Sequence, residues 1–273
     1  MERASYTLND LLRVMERLRD PVTGCPWDLG QDFRSIVPST LEECYELAQA
    51  IEHRDYPHVA EELGDVLFQV VFYAQLGKEQ GLFSMEGIID TLVEKLLRRH
   101  PHVFADGEIE GVVATEARSS LESVKETWES IKQTERAARS QPGILADVPT
   151  ALPALPRAQK LQKRAARVDF DWPDAAAVLV KLEEEIAELR EAMSLQKMEQ
   201  VEEELGDLLF TCVNLSRHLR VDAESSLRRA SAKFERRFQR MEALAQARGL
   251  SLAGSSLQKL DELWRVAKSG SSG

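Results

Sequence analysis

The stretch EELGDLLF, residues 203–210, sets Glu204, Gly206 and Asp207 inside a segment that otherwise reads as buried helix, among Leu205, Leu208, Leu209 and Phe210. The same words stand at 61–68 as EELGDVLF, with Glu62, Gly64 and Asp65 in the matching places. Residues three apart share one side of an α-helix, and a carboxylate on a buried face is costly unless it is paired or holds a cation. A mid-helix glycine costs about 1 kcal/mol against alanine, a cost that close approach of a second backbone would offset. The stretch therefore predicts core helices that carry chemistry, and predicts them twice.

Helical periodicity spreads outward from both copies. Residues 8–19, 38–53, 57–80, 85–99, 115–139, 152–166, 174–195, 198–219, 222–247 and 256–267 are predicted helices, and strand-like alternation is nearly absent. A polar loop, ADGEIEG at 105–111, and a segment with Pro142, Pro149, Pro153 and Pro156 break the pattern. The expected fold is all-α: two tandem repeats of a helical-bundle unit, with domains at 1–140 and 158–268, a Pro-rich linker at 141–157, and SGSSG at 269–273 as a tag remnant.

The repeat can be measured. Glu43 to Glu185, Glu46 to Glu188, Glu62 to Glu204 and Asp65 to Asp207 are each 142 positions apart. KLLRR at 95–99 returns as KFERR at 233–237, and WESIK at 128–132 as WRVAK at 264–268, with the offset drifting to 138 and then 136. One helical unit has been duplicated.

Glu185 and Glu188 share a helix side with the small Ala192, beside a predicted stripe of Leu182, Ile186, Leu189 and Met193; Ala50 holds the matching place in the first copy. On the next helix Glu204, Asp207, Thr211 and Asn214 form one polar line on a helix apolar on its other sides, a pattern normal for burial. Four carboxylates brought into one partly dry place would repel one another and take up protons. A divalent cation removes that conflict. With only oxygen donors and no Glu-x-x-His spacing, the hard-cation choice is Mg²⁺, with Mn²⁺ as a substitute. Single Glu-rich pairs are usually solvated faces; paired sets on adjacent helices, flanked by apolar residues and duplicated at constant spacing, are not.

Composition narrows the partners. A net charge of -11 on 273 residues argues against general nucleic-acid or membrane-surface binding. Cys25, Cys44 and Cys212 lie far apart without CxxC spacing, which fits a reducing cytoplasm. The charged MERASYTLNDLLRVMERLRD lacks the apolar run of an export signal, so the expectation is a soluble cytoplasmic protein.

The pattern EExxE followed by ExxD, seen here as EEIAE and ELGD, together with GCPWDLGQ and RRHPHVF in the first half, resembles the two-domain form of the MazG family of all-α nucleoside triphosphate pyrophosphohydrolases. Ser39, where an aromatic is expected, and Asp169, where glycine is expected, depart from that pattern. The resemblance implies Mg²⁺-dependent cleavage of a nucleoside triphosphate between its α and β phosphates. It implies Glu185, Glu188, Glu204 and Asp207 as metal positions, and Lys181, Lys233, Arg237, Trp264 and Lys268 as nucleotide contacts. It also implies a homodimer, and it makes the second repeat the catalytic one, with Glu43, Glu46, Glu62 and Asp65 as a second, silent set.

Residue chemistry runs alongside. Lys233 and Arg237 are four apart and can clamp a triphosphate that an acidic protein otherwise repels. Trp264 can stack on any base or plug a helix interface. Glu184 or a ligand carboxylate is a candidate general base. His100 and His102 are not, because the second repeat lacks their motif. A narrower, dUTPase-like all-α diphosphatase and a non-catalytic nucleotide- or partner-binding module stay open.

Overall fold

Several helices start where the sequence supplies a cap. Thr7, Asp55, Ser84, Asp174 and Asp222 each accept a hydrogen bond from the backbone N–H three residues on, satisfying a donor the helix itself leaves free. A computed structural model describes residues 5–112, 120, 123–124, 127–128, 130–131, 134–135, 143–146 and 148–269. Its helices are α1 (Leu8–Leu18), α2 (Pro26–Leu29), α3 (Val37–His53), α4 (Tyr56–Glu79), α5 (Met85–Arg99), α6 (Ala154–Ala165), α7 (Ala175–Ser194), α8 (Met198–His218), α9 (Ala223–Ala247) and α10 (Leu257–Ser269). Among the described residues there is no strand, and no helix is long and apolar enough to cross a membrane. The predicted helix over 115–139, Lys132, Pro142 and positions 270–273 fall wholly or partly outside the described residues.

The chain divides into two compact units, Met1–Arg139 and Ser140–Gly273. In the first, α3 and α4 pack as a hairpin, with α1 and α5 against α4. Met15, Ile36, Val71, Phe72, Ala74, Leu76 and Met85 form its core. The GCPWDLGQ segment is strapped onto this core. Buried Arg19 forks onto Glu79 at 2.7–3.1 Å and donates to the carbonyls of Asp28 and Gln31. A side chain at Gly24 would strike the carbonyl oxygens of Leu18 and Asp20, so the strap needs glycine there.

In the second unit α7 and α8 form the matching hairpin, α6 and α9 pack on α8, and α10 packs on α9. Met241, Ala245, Leu263 and Ala267 make the α9–α10 core. Gln162 on α6 donates to the Phe210 carbonyl at 2.8 Å. Asp171 accepts from Arg217 and lies 3.3 Å from His218, which ties the loop before α7 to the end of α8.

Residues 154–157, counted with the linker but also within the predicted helix 152–166, form the first turn of α6, because Pro153 and Pro156 are compatible with a helix start. Two details differ from the sequence reading. The buried stripe of α7 runs through Val178, Glu185 and Ala192, while Met193 is 60% exposed. Beyond the adjoining turns of its own helix, no heavy atom of the described residues lies within 4 Å of a side chain built at Gly64 or Gly206, so the described residues show no close approach at either glycine.

Candidate functional site

Hairpin geometry brings the acidic residues together. Glu185 lies on the inner stripe of α7, three residues before Glu188; Glu204 faces them from α8. One carboxylate oxygen from each of Glu185, Glu188 and Glu204 lies within 4.8 Å of the others. Glu185 is only 5% exposed, Glu204 is half-buried, and Glu188 and Asp207 are exposed. Asp207 stands outside that closest group, one turn along α8, and acts on it electrostatically. The Glu204 carboxyl is pushed above its ordinary range by burial first, and then by the negative charges of Glu188, Glu185, Asp207 and Glu203.

Among the described residues, Lys181 is the cation that meets this group. Lys181 Nζ lies 2.7 Å from Glu184, 2.9 Å from Glu185 and 4.0 Å from Glu188. Hydrogen bonds to Glu184 and Glu185 hold its ammonium well above the usual lysine range. One positive charge among four carboxylates leaves a net negative, oxygen-only gap, which fits a hard divalent cation held by Glu185, Glu188, Glu204 and Asp207. Glu184 itself is exposed and paired with Lys181, and it is not one of the three converging carboxylates.

The first repeat builds the same gap differently. Glu43, Glu46 and Glu62 place oxygens within 4.8 Å of one another. Here the buried member is Glu62, on the second helix of the hairpin, at 6% exposure. His58 Nε2 meets Glu62 Oε1 at 2.6 Å, whereas Glu62 Oε2 is buried with no hydrogen-bond partner among the described residues. Glu43 is pushed up by burial, followed by the charges of Asp65, Glu46, Glu62 and Glu42. The 142-residue offset that pairs the carboxylates carries Lys181 onto Ser39.

The remaining predicted residues sit on α9 and α10. Lys233 is exposed and Arg237 half-buried on α9, and Arg237 Nε is buried without a hydrogen-bond partner among the described residues. Trp264 packs against the α9–α10 core and lies 5.3 Å, centroid to centroid, from Phe234. It is a wall of the helix interface with one part still open. Lys268 is exposed at the end of α10. The described residues show no hydrogen bond joining this group to the carboxylates.

Sequence reasoning missed how α8 is turned. Thr211 and Asn214 are buried, while Leu205, Leu209 and Phe210 are 45%, 53% and 40% exposed. The first repeat repeats the inversion: Gln69 is buried beside exposed Leu63, Leu67 and Val70 on α4. The signal was present in the duplicated polar line, which marks the inner face of each hairpin.

Fold and centre together define a class: an all-α protein built twice, each unit holding an oxygen-only acidic centre between paired helices. Comparison with known proteins makes the class specific. The model of the MazG nucleotide pyrophosphohydrolase domain matches residues 31–104 and 174–241, which contain both acidic centres. The chain is 48% identical over 263 residues to the nucleoside triphosphate pyrophosphohydrolase of Escherichia coli (strain K12), covering 96% of this chain and 97% of that protein. It is 45% identical over 270 residues, 99% of each chain, to the nucleoside triphosphate pyrophosphohydrolase/pyrophosphatase MazG of Thermotoga maritima. A nucleoside triphosphate pyrophosphohydrolase of Mycobacterium tuberculosis is 36% identical over 162 residues, 59% of this chain and 45% of that one. The chain belongs to the MazG nucleotide pyrophosphohydrolase family. Trp264 and Lys268 lie beyond the matched segments.

Proposed function

We propose that this protein hydrolyses nucleoside triphosphates, ribo and deoxy, between the α and β phosphates, giving the monophosphate and pyrophosphate at the second repeat. The observation that carries the reading is the convergence of Glu185, Glu188 and Glu204 within 4.8 Å, in a chain that belongs to this family. Mg²⁺, or Mn²⁺ in its place, held by Glu185, Glu188, Glu204 and Asp207 would supply charge neutralisation and an activated water.

The chain's own groups do the rest. Lys233 and Arg237 offer cationic donors one helical turn apart for the triphosphate, and the unpaired Arg237 Nε is already desolvated for an oxyanion. Lys268 adds charge at the end of α10. The open part of the Trp264 indole offers a face to a base without reading its edges, which suits several bases. Lys181 neutralises part of the cluster and keeps its side chains oriented, and orientation supplies much of the rate. A cluster carboxylate, rather than the solvated and lysine-paired Glu184, is placed to accept a proton from water.

Association as a homodimer belongs to the same reading. The outward Leu205, Leu209 and Phe210 of α8 form an apolar face that a second copy would cover. A monomer mass at micromolar concentration would sink that part. For the activity, each triphosphate is incubated with Mg²⁺ and the products are identified. Monophosphate plus pyrophosphate from several bases is the expected result; a single accepted base makes the enzyme dUTPase-like, and no turnover makes it a binding module. A cytoplasmic setting with no nucleic-acid or membrane partner is consistent with the acidic surface.

A further inference from the structure

The second-repeat clamp, Lys233 and Arg237, has a counterpart in KLLRR at 95–99, and there the structure shows something different. Arg98 donates through Nε and Nη2 to Glu135 Oε1 at 3.0 and 2.7 Å. Arg99 donates through Nε to the same oxygen at 3.3 Å and through Nη2 to Oε2 at 2.5 Å. One carboxylate thus takes four guanidinium hydrogen bonds from two arginines. The Glu135 side chain is 16% exposed and that of Arg99 27%, while that of Arg98 is 54% exposed, so the fork has a shielded carboxylate and one arm open to water.

Two adjacent guanidinium groups converging on one oxyanion form an arrangement suited to phosphate. We propose that Arg98 and Arg99 are a phosphate-binding fork of the first repeat, and that Glu135 occupies it as an internal anion and holds it shut. Among the described residues of the second repeat, no acid is paired with Arg236 or Arg237, the counterparts of Arg98 and Arg99. Arg237 Nε, in the place of Arg99, is buried without a hydrogen-bond partner among the described residues. The same basic segment is therefore closed in one repeat and open in the other. The ligand class is a phosphate chain, and its binding requires the Glu135 carboxylate to swing out of the fork. This inference rests on the reading of Lys233 and Arg237 as a triphosphate clamp.

Calorimetric titration of the full-length protein with inorganic tripolyphosphate tests it. Wild type is expected to bind at the second repeat, and Lys233→Ala/Arg237→Ala to lose that binding. Adding Glu135→Gln to the double variant restores binding, tightened about tenfold or more over the double variant, because the competent fraction of the fork is no longer small. Adding Arg98→Ala/Arg99→Ala removes it again. Glu135→Asp, too short to span both guanidinium groups, gives a partial gain and serves if Glu135→Gln does not fold. No gain in either Glu135 variant overturns the proposal. If wild type still binds in that case, the second-repeat clamp stands alone; if wild type binds nothing, the clamp reading falls with it. A gain that survives removal of both arginines also overturns the proposal, because the phosphate then sits elsewhere.

Discussion

The two acidic centres share their carboxylates and differ in what neutralises them. In the second, Glu185 is the buried member and Lys181 reaches it at 2.9 Å. In the first, Glu62 is buried, Ser39 replaces the lysine, and His58 touches one oxygen while the other has no hydrogen-bond partner among the described residues. A permanent cation balances one centre; a group that is cationic only when protonated balances half of the other. Duplication has kept the donors and altered the charge compensation, and compensation decides whether such a centre can rest empty without strain.

The largest expected effect would break the comparison outright. Glu185→Ala/Asp207→Ala should reduce turnover to below about a hundredth of wild type, since even an outer partner of a metal ligand typically contributes 10–100-fold. Glu43→Ala/Asp65→Ala should retain most turnover. Steady-state assays with Mg²⁺ decide it, with circular dichroism to show intact helices. Equal halving by the two variants would mean that both centres work. EDTA should silence the wild type and excess Mg²⁺ restore it.

A smaller effect concerns the lysine. Lys181→Met should tighten Mg²⁺ binding measured without nucleotide, by up to about tenfold, because a competing cation is gone. Ser39→Lys should weaken Mg²⁺ binding at the first centre by a similar factor. Unchanged affinities in both would show that the lysine–carboxylate contacts do not compete with the ion.

Glu62→Gln probes the half-balanced centre. Removing a buried charge with one unpartnered oxygen should leave metal-free stability unchanged or raise it by about 1 kcal/mol, and abolish any stabilisation of the first unit by Mg²⁺. Denaturant melts with and without the ion give both numbers. A large loss of metal-free stability would mean that the His58 contact outweighs the orphaned oxygen.

The smallest effect is a pH window. Hydrogen bonds from Arg99 and Arg98 lower the Glu135 carboxyl from 4.5 to about 2. A carboxyl depressed on folding contributes stability that is full above its unfolded value and is lost as pH falls through the folded one. The stability difference between wild type and Glu135→Gln should therefore be constant above about pH 4.5 and close between about 4.5 and 2. A difference that persists to the acid end would separate Glu135 from the arginines in solution.

Much of this was legible in sequence. Constant spacing of Glu43, Glu46, Glu62 and Asp65 against their partners gave the duplication, and period 3.6 gave the helices to within a residue or two at most ends. Three of the four carboxylates converge as that spacing led one to expect, while Asp207 stands one turn outside. What stayed hidden were properties of the assembled hairpin. Periodicity could not say that Met193 lies off the buried stripe while Glu185 lies on it, because both are near the boundary of the apolar arc. It could not show that α8 turns Leu209 outward, because an apolar face looks the same whether its own chain or another covers it. Gly206 misled because its open side lines a groove shared with Leu155, Ala158 and Leu161 of α6, with no neighbour near enough to demand glycine. The fork at Glu135 was invisible because no helical spacing links positions 98 and 135.

With a lysine in it, the second centre would exchange one cation for another rather than fill a hole. At rest its ammonium fills part of the space among Glu184, Glu185 and Glu188. A divalent ion held by these carboxylates would compete with Lys181 for Glu185 and Glu188, and the displaced charge, on a flexible four-carbon arm, would then be free to meet phosphates. Loading of the centre and recruitment of an anionic substrate would in that case be coupled. The first centre, with serine in that place, has no such messenger.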